Sequence, residues 1–146
     1  MSNDPAARIA ERCEPWLALL GRLAIAVIFL GSGPLKLMNI PGFAALLATM
    51  GLPMPFALAV LAGVVESLGS LAIALGFKTR YAALLMILFV VIATLLRHNY
   101  WMLEGAARAA QHIQFMKNLA IAGGLLLLYA HGPGRISIDG MGKSAV

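Results

Sequence analysis

Long apolar runs separated by short polar breaks organise this chain. The first runs from about Trp16 to Ser32 and can extend to Met38; the second runs from Pro55 to Phe77. The third covers Tyr81 to Leu96, and the fourth runs from about Ile113 to Tyr129. A membrane-crossing helix needs ~20 mostly apolar residues at 1.5 Å rise each. The third run is short for this, but Arg80 and Arg97 flank it and can snorkel outward. We therefore expect an all-α, polytopic membrane protein: one domain over 1–146, with spans at about 16–38, 55–77, 81–97 and 112–130. Between the first two spans, Gly42 to Met50 is apolar but too short to cross, and Gly51 and Pro53 end it. That stretch predicts a short interfacial helix. The connection RHNYWMLEGAARAAQH is polar at both ends and carries Tyr100 and Trp101, rings suited to the headgroup level.

Three charged residues fall within the spans. Arg22 lies roughly 7 Å to the inner side of the midplane of the first, by helical rise. Glu66 is near the middle of the second, and Lys117 lies a turn or so inside the outer end of the last. Each such charge costs at least ~2.5–3.5 kcal/mol to insert, so a shared polar interior is expected. Helical spacing supports this. Ala59, Ala62, Gly63, Glu66, Ser70 and Ala74 form one small or polar face of the second span. Arg22, Ala26, Phe29 and Gly33 share a face of the first, and Gln114, Lys117 and Asn118 cluster on the last, followed by Ala120 and Gly124. The expectation is a buried Arg22–Glu66–Lys117 network. Its purpose is left open between locking the bundle, handling protons and binding a ligand.

Composition sharpens the class. The chain is 61% hydrophobic and 12% charged, against ~45–50% and ~25% in soluble domains. Its net charge is +5, but the basic residues lie mostly between apolar runs, as topology signals and anionic-lipid contacts do. Basic residues interleaved with aromatics are absent, which argues against nucleic acid. Arg8, Arg12, Lys78, Arg80, Arg135 and Lys143 fall on the side of both chain ends, and Lys36, Arg97 and Arg108 on the other. That excess places both termini in the cytoplasm. Arg22 interrupts the first run and no A-x-A-like site follows it, so we read a span and not a cleaved signal. Cys13 is the single cysteine, so neither an intrachain disulfide nor a CxxC pair is available. His98 and His112 flank the outer connection without a fixed approach, and no metal site is expected.

Several short motifs occur in order along these spans. IFLGSGPLKL, Ile28 to Leu37, ends an apolar run in Ser32-Gly33 with Lys36 three residues on. Gly51-Leu52-Pro53 follows the interfacial stretch, and Glu66 is the mid-helix acid. Gly76, Thr79 and Arg80 form a G-x-x-[ST]-R turn, Lys117-Asn118 a K-N pair, and GPGRISID, Gly132 to Asp139, the close. Together they resemble the DoxX family over nearly the whole chain. The resemblance implies a four-helix inner-membrane protein. It also implies a link to quinone-dependent oxidation, as in the family's namesakes, or to membrane-tethered thiol and oxidative-stress complexes. Without a thiol pair or haem ligands here, a redox role needs a quinone or a partner protein.

The functional expectation is therefore a redox-associated membrane subunit with Glu66, Arg22 and Lys117 as its working residues. Lys36, Ser32, Gln114, Asn118 and Trp101 are the candidates for holding a quinone; Tyr100, Trp101 and Phe115 suit either flanking its ring or anchoring at the membrane surface. Two other classes stand beside it. One is a non-catalytic scaffold or assembly partner, which lack of extramembrane domains and small-residue faces fit equally well. The other is a small-solute or proton transporter, which would need a homo-oligomer to provide alternating access.

Overall fold

The computed structural model describes residues 4–141. Helix α1 runs Pro5–Met38, α2 Ile40–Thr49, α3 Pro55–Leu75, α4 Thr79–Arg97 and α5 Gly105–His131. A 3-10 turn at Tyr100–Met102 sits between α4 and α5, and a four-residue helical turn, α6, covers Ile138–Met141. Four of these helices are long and apolar enough to cross a membrane, and α2 is the shorter apolar helix. Among the described residues there is no strand.

The helices outrun the apolar runs where local chemistry permits. Asp4 caps α1 by accepting from the Ala6 N–H at 2.9 Å, and Pro5 occupies the first turn. The chain is thus helical well before Trp16. At the other end, Ala106 to Gln111 were expected in a connection. They are the first turns of α5, because an Ala-rich stretch is a strong helix former whatever its hydropathy. Gly76 ends α3 in the left-handed region (φ +67°). Its N–H bonds the Ile73 carbonyl at 3.1 Å and the Phe77 N–H bonds that of Ala72 at 2.9 Å, a Schellman close.

Helix α3 is central. It packs against α1, α2 and α4, while α5 packs chiefly on α4. The main core joins Ala26 and Phe29 of α1, Ile73 of α3, Ala83, Met86 and Val90 of α4, and Ile121, Ala122, Leu125 and Leu128 of α5. Ala44 and Leu47 of α2 close on Ala59 near the start of α3 in a second cluster. Leucine, isoleucine and valine side chains cover the outward faces, from Leu20 and Val27 to Leu126 and Leu127. Such a surface would be a liability in water and is ordinary in lipid. With four antiparallel long helices, the two ends of the described segment lie at one end of the bundle, together with Arg8, Arg12, Lys78, Arg80 and Arg135. Lys143, counted above with that group, lies outside the described residues.

Candidate functional site

Two glycines create the site around Glu66. A Cβ on Gly33 would stand 2.6 Å from Ser67 Oγ and 2.8 Å from the Ser67 backbone N, and one on Gly63 would stand 2.6 Å from Leu37 Cδ2. Their bare backbones let α1 and α3 close to contact, as small residues do between membrane helices. Ser32 and Lys36, one turn apart on α1, then reach Glu66 together. The Ser32 hydroxyl donates to Glu66 Oε1, and the Lys36 ammonium donates to Oε2 in an ion pair. Glu66 is 2% exposed, whereas the Lys36 side chain keeps 25% of its surface open. The Lys36 ammonium also lies over the Phe43 ring of α2, 5.5 Å from its centroid. Ser70 Oγ bonds back to the Glu66 carbonyl at 2.6 Å within α3, while Ser67 Oγ is buried and makes no hydrogen bond.

The expected three-charge network does not form. Arg22 is on the predicted face of α1 and is 1% exposed, but it lies ten residues before Ser32, ~15 Å along the helix axis. Its Nη2 donates to the Ile136 carbonyl at 2.5 Å, and its Nε and Nη1 are buried without a hydrogen-bond partner. Lys117 is exposed and donates to Gln114 Oε1. It does not reach Glu66, because α5 packs chiefly on α4. Asn118 Nδ2 donates to Thr94 Oγ1 at 2.9 Å, joining α5 to α4. Trp101 is half exposed at the far end, edge-on to Tyr100 at 5.3 Å and to Phe115 at 6.0 Å. Of the candidate residues, then, Ser32, Lys36 and Glu66 meet across two helices, while Gln114 and Lys117 meet only each other along α5. His98 Nδ1 pairs with Gln111 Oε1 at 2.6 Å, and among the described residues no three metal-ligating side chains gather.

A second polar assembly, at the end of the bundle that holds both termini, was not anticipated. Asp139 accepts from the Lys78 N–H at 2.8 Å, and from the Thr79 N–H at 2.8 Å and hydroxyl at 2.9 Å. It thereby satisfies donors that the start of α4 leaves open. Its own N–H returns to the Gly76 carbonyl at 2.9 Å. The segment from Gly132 to Met141 is thus a strap across the end of α3 and the start of α4 and against α1 at Ala18 and Arg22, with Arg22 enclosed beneath it. Burial raises the Asp139 carboxyl, but the Thr79 and Lys78 hydrogen bonds and the Lys78 charge outweigh it and hold the carboxyl below its ordinary value. The available clue was an acid in a chain with only six, placed after a turn-rich close.

The family profile described as DoxX matches residues 17–99, more than half of the chain. The chain belongs to the DoxX family. The matched stretch holds Ser32, Lys36 and Glu66, so the α1–α3 site lies inside the part of the chain that defines the membership. Inner membrane protein YphA of Escherichia coli is 40% identical over 126 residues, covering 86% of this chain and 90% of that one. Inner membrane protein YqjF of the same organism is 36% identical over 129 residues, covering 88% and 94%. The ER-derived vesicles protein ERV29 of Saccharomyces cerevisiae is 33% identical over 76 residues, covering 52% of this DoxX chain and 24% of its own. No solved structure matches the chain.

Proposed function

We propose that this DoxX-family membrane protein is a redox-associated membrane subunit whose working site is Glu66 with Lys36 and Ser32. One observation carries the reading: a carboxylate at the middle of a membrane helix, 2% exposed, is held by a lysine that keeps 25% of its own surface open. A charge placed so deep is a functional candidate by default, because insertion is costly and interhelical polar contacts return only ~0.6 kcal/mol on average. The donor set fits a quinone. Lys36 and Ser32 offer N–H and O–H donors to a carbonyl oxygen, and Glu66 can accept or return the accompanying proton. A bound quinone would supply the electron chemistry; the protein would orient its head and manage the proton. In this reading both chain ends face the cytoplasm and Lys36 faces the opposite half of the bilayer.

Quinone extracted from protein purified in detergent tests this. The parent should carry it near stoichiometrically, and Lys36→Met should carry about tenfold less, the worth of one charge-assisted hydrogen bond. Quinone-free parent protein that also fails to take up an added short-chain quinone would sink the proposal.

One observation favours an assembly partner instead. Before Glu14, α1 projects as exposed helix with only Ala7 part-buried, carrying Arg8, Glu11, Arg12 and Cys13. Cross-linking from Cys13 that captures no other protein in native membranes would remove that reading.

A further inference from the structure

A cavity of about 460 Å³ opens at the end of the bundle opposite the chain termini, lined by Tyr100, Gly105, Arg108, Ala109 and His112. Its position follows from the helix register. Asn118 of α5 meets Thr94, three residues before α4 ends. The first turns of α5 therefore project beyond α4, Gly105 by ~15 Å, to headgroup depth. The 3-10 turn folds back onto them, and its Tyr100 ring is fixed edge-on to His112 at 4.7 Å and Phe115 at 5.3 Å. Gly105, Arg108, Ala109 and His112 share one helical face. Glycine and alanine leave its floor open, and the polar residues that line it are Arg108, His112 and Tyr100. No carboxylate lines the cavity. Among the described residues, neither the Arg108 nor the His112 side chain has a hydrogen-bond or ion-pair partner in the protein.

We propose that this cavity binds a phosphate ester through Arg108 and His112, with Tyr100 as its wall. The guanidinium fork matches phosphate oxygens bidentately, and the volume suits a headgroup-sized ligand better than a bare ion. Two sources share this chemistry: the headgroup of an anionic phospholipid and a soluble phosphate ester. The site is separate from the Glu66 site.

Native mass spectrometry of the full chain in detergent tests it, with phosphatidylglycerol, phosphatidylcholine and glycerol 3-phosphate as probes. Phosphatidylglycerol retained over phosphatidylcholine identifies a lipid site, and retention of glycerol 3-phosphate as well identifies a soluble ligand. In either case Arg108→Gln should weaken retention about tenfold. Arg97→Gln removes an equally exposed charge at the same end but outside the cavity, and should change nothing. Both arginines are surface-placed, so the two variants should melt with the parent. Equal losses in the two arginine variants would reduce the effect to general charge attraction and overturn the proposal. So would an Arg108→Gln protein that retains every probe like the parent.

Discussion

Replacing Gly76 with alanine should be far more damaging than its one added methyl suggests. Two costs combine. Gly76 sits at φ +67°, where an alanine pays about 1–2 kcal/mol. The new Cβ would also stand 1.9 Å from Arg22 Nη1 and 2.3 Å from Ser137 Cβ, far inside the 3.4 Å at which ordinary contact begins. Arg22 has no room to yield, since it is 1% exposed and its Nη2 is engaged with the Ile136 carbonyl. Overpacking of this kind costs about 1–3 kcal/mol, and a charge-assisted hydrogen bond lost in the process about 1.5–3 kcal/mol. The last two overlap, so we expect a total of about 3–5 kcal/mol. Gly51→Ala supplies the control. It has the same kind of backbone, φ +71°, with nothing within 4 Å of its Cβ, and should lose only the conformational term. Unfolding both variants by SDS titration, alongside trypsin cleavage after Arg135, separates the terms. Gly76→Ala should be the less stable by about 2–3 kcal/mol and should release the strap to the protease. Equal stabilities, or a strap no more cleavable than in the parent, would show that Arg22 and the strap are not locked as described.

Other expectations follow from the same contacts. Asp139→Asn should cost about 1 kcal/mol at neutral pH as a weakened cap of α4. Because the Asp139 carboxyl is held below its ordinary 3.8, its contribution is complete above that value and lost as pH falls through the lower native one; a melting series in acid should show this loss in the parent and not in Asp139→Asn. Gly33→Ala should lower unfolding free energy by about 2–3 kcal/mol because its Cβ meets the Ser67 backbone, while Gly69→Ala should lose less, because only the flexible Met86 side chain stands in its way. Cys13, the single and exposed cysteine, should react with a membrane-impermeant maleimide in inside-out vesicles and not in intact spheroplasts, and the reverse result would invert the proposed orientation.

The α1 and α3 faces were legible because both helices are buried along one narrow stripe. Arg22, Ala26, Phe29 and Gly33 are the buried residues of α1. On α3, Ala59, Gly63, Glu66 and Ser70 are buried as spacing predicted, joined by Gly69 and Ile73, while Ala62 and Ala74 of the expected face are only part-buried. Helix α5 misled for a physical reason. Gln114 and Lys117 lie near the membrane surface, where polar side chains reach water, so of the cluster only Asn118, bonded to Thr94, marks the face turned to α4. The buried stripe is Ile121, Ala122, Leu125 and Leu128, set by the neighbour α4 in a helix apolar on every side. The strap was illegible because its bonds join residues about 60 positions apart in sequence, Asp139 to Lys78 and Thr79, and no local periodicity encodes such a pairing.

The two buried charges answer the cost of insertion separately, and this bears on how the site can be tested. Had Arg22 neutralised Glu66, any change to the acid would have stranded a guanidinium in the bundle, and a loss of function could not be told from a loss of fold. Instead Glu66 is served by Ser32 and Lys36, while Arg22 is bound to a backbone carbonyl of the strap. At ~15 Å apart and with no shared partner, the two should perturb stability additively. Lys36 keeps part of its surface open and lies near the end of α1, so it can turn outward when the acid is neutralised. Glu66→Gln should therefore leave trypsin cleavage of the strap unchanged and cost no more than the ~0.6–1.7 kcal/mol of an interhelical polar contact. If Glu66→Gln frees the strap, the two charges are coupled after all, and the separation drawn from the geometry fails.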